Sequence, residues 1–139
     1  NERELASRYE VYLEQYELSL LVEARTALEV AQTMVVPAAT RYQGELASAA
    51  SAVRAVGLEP DITLLGRVTS TLGALNVATA ALADAIEHES GTSLEAARHS
   101  HATLVPAMAA VRAAVDELET IVADDLWPLP TYQEMMFIL

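Results

Sequence analysis

Apolar residues recur every three or four positions along most of this chain, and this spacing constrains the fold more than any other feature. Over residues 2–56 it places apolar side chains on one stripe of a helix, while glutamates such as Glu10 and Glu14 fall off the stripe. A second periodic stretch covers residues 61–89 and a third covers 94–126. No alternating pattern typical of strands competes with these three, so the sequence predicts an all-α chain.

Each of the two later helices carries a pair of heptad series that identifies its predicted core positions. In the second helix these are Leu65, Leu72, Thr79 and Ile86, interleaved with Val68, Leu75 and Leu82. In the third they are Leu94, His101, Met108, Val115 and Val122, interleaved with Ala97, Leu104, Val111 and Leu118. Because His101 lies on this stripe, we expect it to be buried or at the boundary of the core, with a hydrogen bond to a neighbour.

Helix boundary signals separate the three stretches. Gly57 predicts the end of the first helix, Asp61 is a candidate N-cap for the second, and Thr92 or Ser93 is one for the third. Two short connections predict an up-down-up antiparallel bundle of three long helices. We expect the bundle to occupy residues 1–126, and the Trp-Pro step that follows to end the last helix.

The first helix is overlong compared with the other two. Counted back from Gly57, residues 24–57 can pair with the other helices, and residues 2–23 overhang. Either this helix bends at Pro37 and folds back, or its overhang packs on a partner outside the chain. Pro106 lies at a matching height in the third helix, and we expect a bend rather than a break at both prolines.

The composition excludes several classes of protein. The 139 residues carry a net charge of −12, all eight basic residues are arginine, and there is no cysteine. So acidic a chain lacks the electrostatic surface of a nucleic-acid binder and is repelled by anionic lipids, and no run of residues is apolar enough to cross a membrane. We expect a cytoplasmic protein without nucleic-acid or membrane partners. A start at Asn1 instead of Met indicates processing or a piece of a longer protein.

No catalytic, cofactor-binding or metal-binding constellation is recognisable in the sequence. The five glycines are scattered, and no Glu-x-x-His motif of a di-iron bundle occurs. Asp84 with His88, and Glu95 with His99, have the four-residue spacing of surface pairs, which we prefer to a metal site. From the residues alone, the chain is a helical interaction or scaffolding module and not an enzyme.

Two stretches resemble a known family. They are residues 4–47, which begin "ELASRYEVYLEQYELSLL", and residues 105–139, which end with "LWPLPTYQEMMFIL". Together they resemble the C-terminal region of type III glutamine synthetases, and the Trp-Pro-x-Pro-Thr-Tyr string is the most specific part. The resemblance implies a parent enzyme that joins ammonia to glutamate with ATP and Mg²⁺ or Mn²⁺, in stacked hexameric rings.

The resemblance also implies a role for the surplus apolar surface. The family's metal and nucleotide motifs lie in an upstream β-rich domain and are absent here, so no cofactor is expected on this chain. Residues 127–139 are expected to form an extended docking tail. The predicted interface, facing the parent's catalytic domain or neighbouring subunits of a homo-oligomer, comprises Tyr9, Tyr12, Leu13, Tyr16, Leu20, Trp127, Pro128, Pro130, Tyr132 and Phe137. The alternative is an independent helical adaptor or dimerisation module without enzymatic activity.

Overall fold

Residues 2–55, 63–86 and 93–119 form three helical rods, and the prediction of an all-α fold is confirmed. The computed structural model describes residues 1–88, 91–130 and 135–136, and no strand occurs within these ranges. Two of the rods are interrupted by a π-helical turn, so the three rods contain five α-helices. In chain order the elements are α1 (Glu2–Val30), a first π turn (Ala31–Val35), α2 (Val36–Ala55), α3 (Thr63–Ile86), α4 (Ser93–His99), a second π turn (Ser100–Leu104), α5 (Val105–Glu119) and a 3₁₀ turn (Asp124–Leu126).

The first rod runs without a break from residue 2 to residue 55. Its start is fixed by Asn1, whose side-chain Oδ1 accepts a hydrogen bond from the Glu4 amide at 3.0 Å. Its end is fixed by Gly57, which has φ of +82° and donates to the Arg54 carbonyl, while Leu58 donates to the Val53 carbonyl. These two bonds form the Schellman arrangement, in which glycine is favoured because it has no Cβ. The predicted stop at Gly57 is confirmed.

A π turn precedes each of the two helix-interior prolines. Val36 donates its N–H to Ala31, five residues back, immediately before Pro37. Val105 donates to Ser100 in the same way immediately before Pro106. A proline in a regular α-helix lacks the N–H donor, and its ring clashes with the carbonyl four residues back. The wider π turn gives this carbonyl more room, so both rods stay helical through their prolines.

Side-chain caps set the starts of the other two rods. The Asp61 carboxylate accepts the Thr63 amide at 2.8 Å, although Ile62 occupies the cap position itself. Thr92 caps α4 by accepting the Glu95 amide, and its hydroxyl donates to the Glu95 carboxylate at 2.9 Å. This pair resembles a capping box at the T-x-x-E spacing.

The third rod ends seven residues earlier than the sequence indicated. Helix α5 stops at Glu119, and not at residue 126, because Thr120 and Ile121 form tight bonds to carbonyls three residues back. The Thr120 hydroxyl also donates to the Glu117 carbonyl at 2.8 Å. Thr120, Ile121 and Val122 are β-branched, and such residues extend a helix less readily. The apolar repeat continues through this turn, which is why the repeat alone placed the boundary too late.

The positions that the heptad series indicated are buried or half-buried, with two exceptions, Leu94 (37% exposed) and His101. Thr79 and both leucines of the Val68 series are buried, as is every member of the Ala97 series. His101 is exposed, so its predicted burial is wrong. Successive helical residues differ by about 100°, and at this height Ser100 takes the inward position and is buried.

Three contacts show which heights of the rods meet. Gln43 of α2 donates to the hydroxyl of Thr69 in α3 at 2.8 Å. At the same end of α3, Arg67 lies 4.0 Å from Glu117 of α5. At the other end, His99 lies 3.0 Å from the Ala85 carbonyl. These heights leave the first part of α1 beyond the ends of the other rods, with no fold-back at Pro37.

No helix in the described ranges combines the length and the apolar character that a membrane span requires.

Candidate functional site

The N-terminal part of α1 exposes a row of large apolar side chains, which we call the tyrosine face: Leu5, Tyr9, Tyr12 and Tyr16. Their exposed fractions are 70%, 53%, 70% and 41% respectively. The four lie on one side of the helix because their spacing alternates between four and three residues. Packing against the core cluster begins only with Leu20 and Leu21. We therefore call residues 1–20 the arm, a stretch of helix whose first twelve residues are all exposed and whose last residues meet the bundle.

The other predicted interface residues of α1 lie where the arm meets the bundle. Leu13 is half-buried, and Leu20 is half-buried against the core cluster. These two side chains continue the tyrosine face towards the buried Ala24. Val11 and Leu18 of the arm, and Val22 just beyond it, are also exposed, but they fall off the main apolar stripe and were not predicted for the interface.

Polar residues of the arm are distributed unevenly around the helix. Arg8 lies beside the tyrosine face and donates a hydrogen bond to the Glu4 carboxylate at 2.8 Å, and both side chains of this pair are exposed. At 100° per residue, Glu10 and Glu14 point more than 100° away from the centre of the face. The face is therefore apolar and aromatic, and the charged residues closest to it are Glu2 and Arg8, at about 50° and 70° from its centre. Its chemistry suits burial against another apolar surface, since tyrosine combines a large apolar ring with a hydroxyl that tolerates water.

The start of the predicted tail packs on the bundle. Leu126, Trp127 and Leu129 are partly buried against the core cluster, and the 3₁₀ turn contacts α2. The buried indole nitrogen of Trp127 finds no hydrogen-bond acceptor in the part of the chain that the structure describes. Pro128 is half-buried and Pro130 exposed. Tyr132 and Phe137, also predicted for the interface, lie outside the described residues.

The histidines do not form the pairs that the sequence suggested. His88 and His99 stack on each other, with ring centroids 4.1 Å apart and an interplanar angle of 23°. His99 Nε2 also lies 3.0 Å from the Ala85 carbonyl oxygen, so the pair joins the end of α3 to α4. Within the described ranges no three histidine, aspartate or glutamate side chains come together as a metal site would require.

An open groove between α3 and α5 was not predicted from the sequence. It is lined mainly by alanines, with Val77 exposed at 72% and Glu117 at one end. The groove offers few polar groups and carries no recognisable chemistry.

Comparison with known proteins places these features in a family context. Residues 1–54, essentially the whole first rod with its tyrosine face, match the glutamine synthetase C-terminal domain. The chain is 28% identical over 147 residues to a glutamine synthetase of Bacteroides fragilis (strain YCH46), covering 99% of the chain and 20% of that protein. It is 30% identical over 148 residues to the type-3 glutamine synthetase of Dictyostelium discoideum, covering 97% of the chain and 20% of that protein. The chain thus spans a fifth of the length of these curated relatives.

Proposed function

Because the chain belongs to the glutamine synthetase C-terminal domain family, we propose that it is a non-catalytic helical module that docks on its parent enzyme and supports oligomer assembly. The parent reaction is then the ATP-dependent ligation of ammonia to glutamate. ATP and Mg²⁺ or Mn²⁺ belong to the catalytic part of the parent, and we assign no residue of this chain to them. The enzyme is cytoplasmic in this proposal.

The observation that carries the proposal is the exposure of the tyrosine face. Three exposed tyrosines and an exposed leucine on one side of a helix form an apolar surface of the kind that marks an interface. Aromatic side chains are also the residues that most often anchor protein–protein contacts. We propose that this face, together with the predicted tail, contacts the catalytic domain or a neighbouring subunit.

The proposal includes the finer arrangement of the rods. We propose an up-down-up order with a bend at each proline, so that the first and third rods curve together. Arg67 contacts Glu117 at one end of α3, and Ala85 contacts His99 at the other end. Since the residue numbers rise in one rod as they fall in the other, these contacts support antiparallel second and third rods. The π turns before Pro37 and Pro106 support a shared bend, since such turns are a recognised cause of kinks.

The test uses the full-length parent enzyme. We expect Tyr9→Ser with Tyr12→Ser to impair assembly, measured by sedimentation velocity, and to lower glutamine formation accordingly. Val56→Ser is the matched control, because Val56 is 74% exposed and lies at the far end of the first rod. Normal assembly and activity of the double variant would contradict a docking role for the tyrosine face.

The tail requires a separate truncation. Since Trp127 and Leu129 pack partly on the bundle, a deletion that separates docking from folding begins at residue 131. We expect this deletion to leave the melting temperature of the 139-residue chain nearly unchanged and to weaken assembly of the parent. If the isolated chain unfolds and the parent assembles normally, the tail belongs to the bundle instead.

A further inference from the structure

The tyrosine face is symmetric along the chain. Its members are separated by four, three and four residues, so the order of spacings is the same in both directions. The midpoint lies between residues 10 and 11, which is also the middle of the arm, residues 1–20. A helix face with this symmetry matches a second copy of itself running in the opposite direction, because a twofold contact requires a self-complementary surface.

We propose that the arm pairs antiparallel with the arm of a second copy of this chain, in one defined register. Leu5 of each copy meets Tyr16 of the other, and Tyr9 meets Tyr12. The same register places residue 1 of one copy beside residue 20 of the other, so the two arms overlap over their whole length. The proposal deepens the proposed function by naming the partner of the tyrosine face.

Charge favours the antiparallel arrangement over a parallel one. Each copy carries a net charge of −12. An arm of 20 residues is about 30 Å long, so antiparallel pairing holds the two bundles about 30 Å apart, well beyond the Debye length of about 8 Å at physiological salt. Parallel pairing would place the two acidic bundles side by side. Along the seam, Arg8 lies close to Gln15 of the other copy, which forms no like-charge contact.

The area of the contact is that of a modest, specific interface. A fully buried aromatic side chain removes about 150–250 Å² from water, and the paired arms bring together six partly exposed tyrosines and two leucines on the face. The pair therefore buries on the order of 1,000 Å² in total, near the lower limit for a specific interface. We expect an association that is measurable at micromolar concentrations.

Disulfide cross-linking tests the register directly, because the chain contains no cysteine. Leu5→Cys and Tyr16→Cys are prepared as separate variants of the 139-residue chain and oxidised alone and mixed. In the proposed register, the two Leu5 positions of a dimer are about 16 Å apart along the axis, beyond the roughly 7 Å between Cα atoms that a disulfide spans. The mixture should therefore cross-link into heterodimers, and each variant alone should not.

The matched control pair is Arg3→Cys with Leu18→Cys. These positions lie at equal heights in the proposed register but on the opposite side of the helix, and their mixture should cross-link at least about tenfold less. Cross-linking of each single variant with itself would indicate parallel arms and overturn the proposal. So would a chain that neither cross-links nor dimerises in sedimentation at about 100 μM, far above a micromolar dissociation constant.

The two proposals fail separately. A monomeric chain with no cross-link overturns arm pairing, and it would make the catalytic part of the parent the occupant of the tyrosine face. The docking role itself is judged on the full-length enzyme, where the Tyr9→Ser and Tyr12→Ser double variant must impair assembly. Loss of assembly there, combined with no cross-linking in the isolated chain, would retain the docking role and reject the second copy.

Discussion

At the residue scale, Trp127 combines a packed ring with an unsatisfied polar atom. Its side chain packs against the core cluster, but its indole nitrogen is buried without an acceptor among the described residues. We expect Trp127→Ala to lower the free energy of unfolding by about 1–3 kcal/mol, because a partly buried aromatic ring is lost. Urea unfolding of the 139-residue chain, followed by circular dichroism, measures this change.

Trp127→Phe is the control for that substitution. Phenylalanine keeps most of the ring and removes the buried N–H, so we expect the free energy of unfolding to change by less than about 1 kcal/mol. A loss as large as that of the alanine variant would mean that the indole nitrogen has an acceptor beyond the described residues.

Asp61 gives the start of α3 a pH dependence. Hydrogen bonds from the Thr63 hydroxyl and from the Thr63 amide lower the pKa of the Asp61 carboxyl below its usual 3.8. The stabilisation is therefore complete above the unfolded-state pKa and is lost as pH falls through the lower folded-state pKa. We expect Asp61→Ala to lower the melting temperature at neutral pH and to have a much smaller effect at about pH 2, where the carboxyl is protonated. An equal effect at both pH values would contradict a role for the charged form.

At the element scale, the π turns show how the rods accommodate Pro37 and Pro106. Both prolines are exposed, so replacing them does not disturb the core. We expect Pro37→Ala and Pro106→Ala each to raise the free energy of unfolding by about 1–3 kcal/mol, since alanine restores a donor and is the best helix former. Chemical denaturation of the single variants tests this expectation.

Gly44 provides the reference for the proline variants. It lies exposed in α2, and a Cβ added there meets no atom within 4 Å. Gly44→Ala should therefore raise the free energy of unfolding by about 0.5–1 kcal/mol through helix propensity alone. If Gly44→Ala stabilises the chain and the proline variants destabilise it, core packing requires the π turns and not only the prolines.

The helical segments could be predicted from the sequence, whereas the π turns that interrupt them could not. The apolar repeat located all three rods. Gly57 located the end of the first rod, because glycine has no Cβ and adopts a positive φ more readily than other residues, and this preference depends only on the residue itself. The repeat also continues past Glu119, where α5 ends, because burial against the core does not require helical backbone. Nothing in the residues distinguishes a π turn from a bend at Pro37, since both relieve the same clash.

The candidate site was predictable only in part, for a similar physical reason. The surplus of apolar residues in α1 follows from comparing the lengths of the three periodic stretches, and the structure exposes Tyr9, Tyr12 and Tyr16 accordingly. The placement of Trp127 depends on how the chain turns after Glu119, which no local signal encodes. The boundary at residue 127 between bundle and docking tail stays a prediction.

At the scale of the whole molecule, net charge opposes association while the tyrosine face favours it. Two chains of −12 each repel, and added salt screens that repulsion. We expect the dissociation constant of the isolated chain to fall a few-fold between about 0.05 and 0.5 M salt, as the Debye length shortens. Sedimentation equilibrium at the two salt concentrations measures it. Tyr9→Ser with Tyr12→Ser should stay monomeric at both, and weaker association at high salt would indicate that ion pairs dominate the contact.

The arm also has a mechanical consequence. Long helices curve with radii of about 60–100 Å, so the tip of an arm about 30 Å long deflects by roughly 5 Å within that ordinary range. Such a deflection of the tip leaves the core in place, because packing against the core begins only at Leu20, the last residue of the arm. The arm can therefore bend as a flexible lever. A partner surface can lie several ångströms nearer or farther while it keeps its contact with the tyrosine face.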